Sequence, residues 1–253
     1  MKTEGINFEY CRNLFLKGAY SNIYILIEKR YEFIKQNISK EQKGIEFGAG
    51  AGLSNFFLKD YSLTITDFCE SNWLDLKNID AQKTDFPAES FDYILMINVL
   101  HHLDKPLQFF REAERILKPE GKIVFIEPYT SLLMKLLLKL SKHESFYENI
   151  SPLSEKYSFV KISKSNIDGN NSVAKLIMKN KSSFEQIFPN LNIENIQYRE
   201  TFIFMNSGGQ YHKSPYIPLP KFMLKTCNLK DRILTRIFPD IFALGVYFTV
   251  KKK

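Results

Sequence analysis

The segment Gly44-Ile-Glu-Phe-Gly-Ala-Gly-Ala-Gly52 constrains the fold more than any other part of the chain. Its first four residues read as a short buried strand, and Leu53–Leu58 after it resumes a helical pattern. Glycines at positions 48, 50 and 52 permit a tight turn and a close approach of backbone to ligand. A helix that opens directly behind such a turn offers free N–H groups to a carboxylate or phosphate. The spacing is G-x-G-x-G, and Leu53 stands where the third glycine of the dinucleotide fingerprint belongs. That departure disfavours a nucleotide-dependent oxidoreductase. A second, β-branched strand, Leu63–Thr66, ends at Asp67, where an acid can accept hydrogen bonds from both hydroxyls of a ribose.

The remaining pattern extends this unit. Phe8–Asn37 interleaves tyrosines and aliphatics with charges at helical spacing. Phe91–Val99 is almost wholly apolar, as a central parallel strand covered on both faces must be. Leu107–Leu117 is amphipathic and stops at Lys118-Pro-Glu-Gly121, and Lys122–Glu127 reads as a further strand. Strand and helix thus alternate, which predicts an α/β, doubly wound, mostly parallel sheet. After Pro128 the alternation is lost until the apolar strand Leu244–Val250. The expected organisation is a single domain over 1–253, with N-terminal helices in 1–40 and a ligand-binding core in 41–130. A substrate-side insertion and lid occupy 131–240, and a last strand and basic tail fill 241–253.

Composition narrows the functional classes. Lys+Arg 35 against Asp+Glu 28 gives a formal charge of +7, but the lysines are scattered and no arginine-rich run appears, so nucleic acid is disfavoured as a partner. No apolar run approaches the ~18–20 residues of a membrane-spanning helix, and the first residues lack a secretory pattern. Cys11, Cys69 and Cys227 lie far apart with no C-x-x-C, which fits a reducing cytoplasm. The histidines are 101, 102, 143 and 212, without H-x-x-x-H spacing, so no metal site is expected.

Several further segments, in this order, carry a resemblance. They are Glu46-x-Gly-x-Gly-x-Gly52, Asp67, Asp80-Ala-Gln-Lys-Thr-Asp-Phe-Pro87, Ser90-Phe-Asp92, Asn98-Val-Leu-His-His102 and Leu117-Lys-Pro-Glu-Gly121. From Gly44 to Pro128 the chain resembles the class I S-adenosylmethionine-dependent methyltransferases. The resemblance implies a Rossmann-like, seven-stranded sheet and S-adenosylmethionine as cofactor. It places Glu46 and Gly48, Gly50 and Gly52 around the methionine end and Asp67 on the ribose. Asp80 would accept from the adenine amino group with the Ala81 backbone facing the ring, and Asn98 would line the route to the methyl group. Twelve residues separate Asp67 from Asp80, so the helix expected around Ser71–Leu76 is short, and Asp75 and Asp85 are rivals for the adenine side.

Methyl transfer to a hydroxyl requires a base within hydrogen-bond reach of the acceptor. The candidates are His143 in the insertion, His102 after the fourth strand, and Glu127 at the end of the fifth; the other histidines read as structural. Ser131–Leu140, apolar with Lys135 and Lys139 one turn apart, reads as a lid over the pocket or, alternatively, as a helix at a membrane interface. Glu127-Pro-Tyr129, Lys142-His-Glu144 and Asn206-Ser-Gly-Gly209 with Pro215 and Pro218 are similar to a bacterial branch associated with surface polysaccharide synthesis. The expected activity is methylation of a small-molecule or glycan acceptor, foremost a hydroxyl of a surface-polysaccharide sugar or its activated precursor. The alternatives are a non-catalytic cofactor-binding subunit or peripheral membrane partner, and an RNA methyltransferase.

Overall fold

The computed structural model describes residues 8–16, 22–141, 144–160, 169–210 and 214–253. Two helices, α1 (Phe8–Leu16) and α2 (Asn22–Lys35), precede the sheet. Strands β1 (Gly44–Phe47), β2 (Leu63–Ile65), β3 (Phe91–Ile97) and β4 (Leu117–Pro128) follow, with α3 (Ser54–Phe57) after β1 and α4 (Pro106–Ile116) before β4. Beyond them run α5 (Leu132–Ser141), α6 (Val173–Lys179), α7 (Lys181–Ile187), β5 (Leu191–Arg199), α8 (Phe202–Met205), α9 (Lys221–Ile237), α10 (Pro239–Phe242) and β6 (Gly245–Lys252). The six strands form one sheet in the order β2-β1-β3-β4-β6-β5. β2, β1, β3 and β4 are mutually parallel, and β6 is antiparallel to both its neighbours.

The alternation of side chains along a strand explains the double winding. Ile94 and Met96 of β3 enter a core with α4, α6 and α7, while Tyr93 and Leu95 between them enter a second core with α2 and α3. Both faces are covered, which is why β3 is apolar at nearly every position. Pro106 opens α4, where its missing N–H costs nothing. The Lys118-Pro-Glu-Gly121 stop does end α4, but it lies inside β4 as an irregularity, with Phe91 opposite Leu117 and Tyr93 opposite Lys122.

The sheet has six strands among the described residues, where seven were expected. Residues 68–79 are too few for a helix and a return strand, and the expected helix around Ser71–Leu76 is absent. A single bridge, Thr66 to Leu76, stands in for the edge strand. Asp75 completes it: its Oδ2 accepts the Ile65 N–H at 2.8 Å and its own N–H donates to the Ile65 carbonyl at 3.0 Å. Asp75 therefore finishes the sheet edge and is no rival for the cofactor.

Gly44 is fixed by packing across β1 and β3. A Cβ there would stand 2.1 Å from the ring of Tyr93, which is fully buried and has no room to retreat. Gly44→Ala is expected to cost about 1–3 kcal/mol through overpacking. Thermal melting should show a fall of about 2–4 °C per kcal/mol, and an unchanged melting temperature would contradict this packing.

Candidate functional site

The carboxyl ends of β1–β4 open into a cavity of about 1040 Å³. That is at or above the ~300–1,000 Å³ usual for small-molecule sites, with room for two ligands side by side.

One end is built by the glycine turn. Gly48 and Gly50 line the cavity and have φ of 67° and 51°, conformations that favour glycine. Asp67 is 8% exposed, and its carboxylate is held at both oxygens, Oδ2 by the Gly50 N–H and Oδ1 by the Cys69 N–H, each at 2.8 Å. A carboxylate has about four lone-pair sites, so two backbone donors orient it and leave capacity for a diol. Asp80 and Ala81 line the same end, and Asp80 is set by Gln82, whose backbone N–H and side-chain amide both donate to Oδ1. Asp85 does not line the cavity. Asn98 lines it from a left-handed backbone, φ 55°, at the end of β3. These residues fit the adenosyl and methionyl parts of S-adenosylmethionine: a buried, backbone-oriented acid for the ribose and a glycine turn for close approach.

Two expected residues take other places. Gly52 is outside the lining; a Cβ there would meet the Trp73 indole at 2.5 Å, and its carbonyl and that of Ala51 accept from Arg12. Its freedom serves the packing of α1 and Trp73 over the turn. Glu46 is 2% exposed, outside the lining, and faces Ser54 and Tyr93 in the layer below. Its Oε2 has no hydrogen-bond partner. Burial pushes its carboxyl up to about 7, against an opposing hydrogen bond from Ser54 and with a smaller push from the Asp67 charge.

The other end is organised by Glu127, the penultimate residue of β4 and 1% exposed. Its Oε1 accepts the N–H groups of Val99 and Leu100 at 2.8 Å each. Its Oε2 lies 2.6 Å from His101 Nδ1. A carboxylate only accepts, so Nδ1 carries a proton, and in the neutral ring Nε2 is the nitrogen with the lone pair. Burial works against charging His101, but Glu127 and, more weakly, Glu144 outweigh it and hold the imidazole above its usual range. His101 Nε2 lies 4.0 Å and His102 Nε2 3.9 Å from the Glu144 carboxylate, and all three residues line the cavity.

Of the three expected bases, His143 lies outside the described residues. His102 reaches the cavity, and Glu127 is occupied as the partner that orders the loop and His101. His101 was expected to be structural; the signal available was its place beside His102, with a glutamate ending the next strand. One donor atom from each of His101, His102 and Glu144 lies within 4.8 Å of the others. A search by linear spacing cannot see this group.

The roof and far wall come from the insertion and the N-terminal helices. Met134, Leu137 and Leu138 of α5 line the cavity, as do Leu26 of α2 and Phe204 and Met205 beyond β5. The far wall also holds a buried bidentate pair, Arg30 to Glu200 at 2.7 and 2.8 Å, with Gln210 at 3.4 Å from Arg30. Sequence reading missed this trio because Arg30 stands 170 positions from Glu200 and 180 from Gln210. Within Asn206-Ser-Gly-Gly209, Ser207 and Gly209 line the cavity. Asn206 instead joins chain segments, its side chain pairing with both backbone polar groups of Ile217.

Fold and site together resemble those of the Rossmann-like methyltransferases that use S-adenosylmethionine. Residues 45–125 match the family described as a methyltransferase domain. The chain is similar to an uncharacterised protein of Methanocaldococcus jannaschii, 29% identical over 138 residues, which are 52% of this chain and 67% of that one. It is also similar to a probable polyketide synthase of Dictyostelium discoideum, 27% identical over 117 residues. The match covers 44% of this chain and spans only 4% of that relative's length. In fold it resembles a S-adenosylmethionine-dependent methyltransferase of Archaeoglobus fulgidus, with a TM-score of 0.51, 16% identity, and 90% and 93% of the two chains covered. A Thermotoga maritima protein described as a possible histamine N-methyltransferase aligns with a TM-score of 0.53, 16% identity, and 91% and 93% covered.

Asp67→Ala is expected to weaken S-adenosylhomocysteine binding at least tenfold, about 1.4 kcal/mol, in calorimetric titration. Glu46→Gln tests the buried carboxyl. Between about 4.5 and 7 the unfolded acid ionises while the folded one keeps its proton, so wild-type stability falls as pH rises through that window. The glutamine variant should therefore gain about 3 kcal/mol relative to wild type at pH 8 over its value at pH 4, read by urea unfolding at both pH values.

Proposed function

We propose that this chain transfers the methyl group of S-adenosylmethionine to a hydroxyl of a small-molecule or glycan acceptor, and that 1–253 acts as one domain. The observation that carries the reading is the ordered His101–Glu127 pair, which shares a cavity with Asp67 and the glycine turn. Bound there, the cofactor supplies an electrophilic methyl group on a sulfonium, and its transfer to the acceptor oxygen leaves S-adenosylhomocysteine. Gly48, Gly50, Asp67, Asp80 and Ala81 would hold the cofactor, and Asn98 would line the route to its methyl group. His101 Nε2, with its tautomer set by Glu127, takes the acceptor's proton, and His102 and Glu144 flank that position. Holding nucleophile and methyl group in contact supplies much of the rate, and the base completes it.

The acceptor class rests on the far wall. Ser207, Gly209 and Gln210 offer polar groups suited to a sugar, which supports a surface-polysaccharide unit or its activated precursor together with the short motifs of the second half. Leu26, Phe204, Met205 and the α5 roof favour an acceptor that also has an apolar part. The similarity to a polyketide synthase segment is compatible with such a small molecule. A cytoplasmic setting is proposed from Cys11, Cys69 and Cys227, all free.

The test is transfer of a labelled methyl group from S-adenosylmethionine to sugar nucleotides, lipid-linked glycans and hydroxylated polyketide-like compounds. His101→Ala is expected to lower kcat by ~10²–10⁴ while S-adenosylhomocysteine binding stays within a few-fold of wild type. Equal turnover by His101→Ala would remove the base assignment. Loss of activity in EDTA, restored by a divalent cation, would replace it with a metal-assisted reading of the same residues.

A further inference from the structure

The long helix α9 is seated by one face and apolar on the opposite one. Leu224, Asp231 and Thr235 are its buried residues. The Asp231 carboxylate accepts the N–H groups of Thr201, Phe202 and Ile203, which fixes the helix by that side. With 3.6 residues per turn, Phe222, Leu229, Ile233 and Ile237 fall on the far side, and they are 69%, 56%, 54% and 60% exposed. An amphipathic helix of a soluble surface has the reverse arrangement, with charge pointing outward.

The charges of α9 lie along the borders of this stripe. Lys221, Lys225, Arg232 and Arg236 follow one edge and Lys230 the other, while the acid of the helix, Asp231, is turned into the protein. A second stripe stands on α5, where Leu132, Leu136 and Leu140 are 63%, 53% and 74% exposed. They lie opposite Met134, Leu137 and Leu138, which line the cavity. The short helix α10 packs against both α5 and α9 and exposes Ile241.

We propose that the outer faces of α9 and α5 dock the protein on an anionic lipid surface. The apolar stripes enter the boundary between headgroups and acyl chains, and the flanking cations reach the lipid phosphates on their long stems. Charge selects this occupant over a second copy of the chain. A symmetric pairing would set the five cations of one α9 against the same five of the other, with the acid of the helix, Asp231, turned inward. Among the described residues no helix is long and apolar enough to cross a membrane, so the contact is interfacial. Since α5 roofs the cavity with its inner face, docking sets the site about one helix diameter, ~10 Å, from the lipid.

Flotation with vesicles tests this without any methyl acceptor, so its outcome is separate from that of the proposed activity. The full chain is expected to float with vesicles of phosphatidylcholine doped with phosphatidylglycerol, and much less with phosphatidylcholine alone. Leu229→Glu with Ile233→Glu should abolish flotation. Lys225→Glu with Arg232→Glu and Arg236→Glu should lower affinity for the anionic vesicles about a hundredfold or more. Retained S-adenosylhomocysteine binding and thermal melting confirm that each variant is folded. The proposal is overturned if wild type floats with neither vesicle or if the variants float like wild type. It is also overturned if sedimentation shows a wild-type dimer that Leu229→Glu with Ile233→Glu converts to monomer.

Discussion

The carboxylate of Glu127 is the interaction on which the acceptor end depends. It sits at the end of a central strand, is almost wholly buried, and accepts from the Val99 and Leu100 backbone and from the His101 ring. A buried carboxylate is tolerable only when its lone pairs are met. By meeting them with the loop that follows β3, the chain ties two adjacent strand ends together. The same carboxylate also binds His101 Nδ1, so satisfying a buried acid and orienting the imidazole are one arrangement.

Asp67 plays the matching part at the cofactor end, where backbone N–H groups of Gly50 and Cys69 hold it. The two acids differ in what they leave available. Asp67 keeps capacity toward the cavity, whereas Glu127 directs its capacity into the loop and passes its influence on through His101. Glu46 is a third case, a buried acid with an orphaned oxygen beneath the turn and a carboxyl pushed toward neutrality. In the layer below the glycine turn, the Tyr31 and Ser54 hydroxyls share a hydrogen bond.

Helix α5 shows how one segment can serve two surfaces. Its residues are apolar nearly all round, which for an isolated helix indicates full burial. Here one side roofs the cavity and the opposite side is exposed. α9 repeats the exposed stripe with cations on its borders.

The sequence by itself determined the cofactor half. Strand, glycine turn and helix are contiguous, and so are the acid at the end of β2 and the Asp80-Ala81 pair, so local spacing carries the elements and brings Gly48, Gly50, Asp67, Asp80 and Ala81 to one cavity. It also placed α4, β3 and β6 within a residue or two, because continuous apolar runs and a Pro/Gly stop are local signals, whereas β4 begins at Leu117, five residues before the expected Lys122. Tertiary structure alone decided the rest. The edge strand was lost because residues 68–79 are too few for it, and Asp75 became a sheet-edge partner. Gly52 was left to Trp73 and Arg12, and Glu46 was turned away from the cavity, because the side to which a strand residue points depends on pairing. His101 was joined to Glu127, and Arg30 to Glu200 and Gln210, by contacts between residues far apart in the chain. Such contacts leave no periodicity in sequence, since they follow from which segments the sheet order makes adjacent.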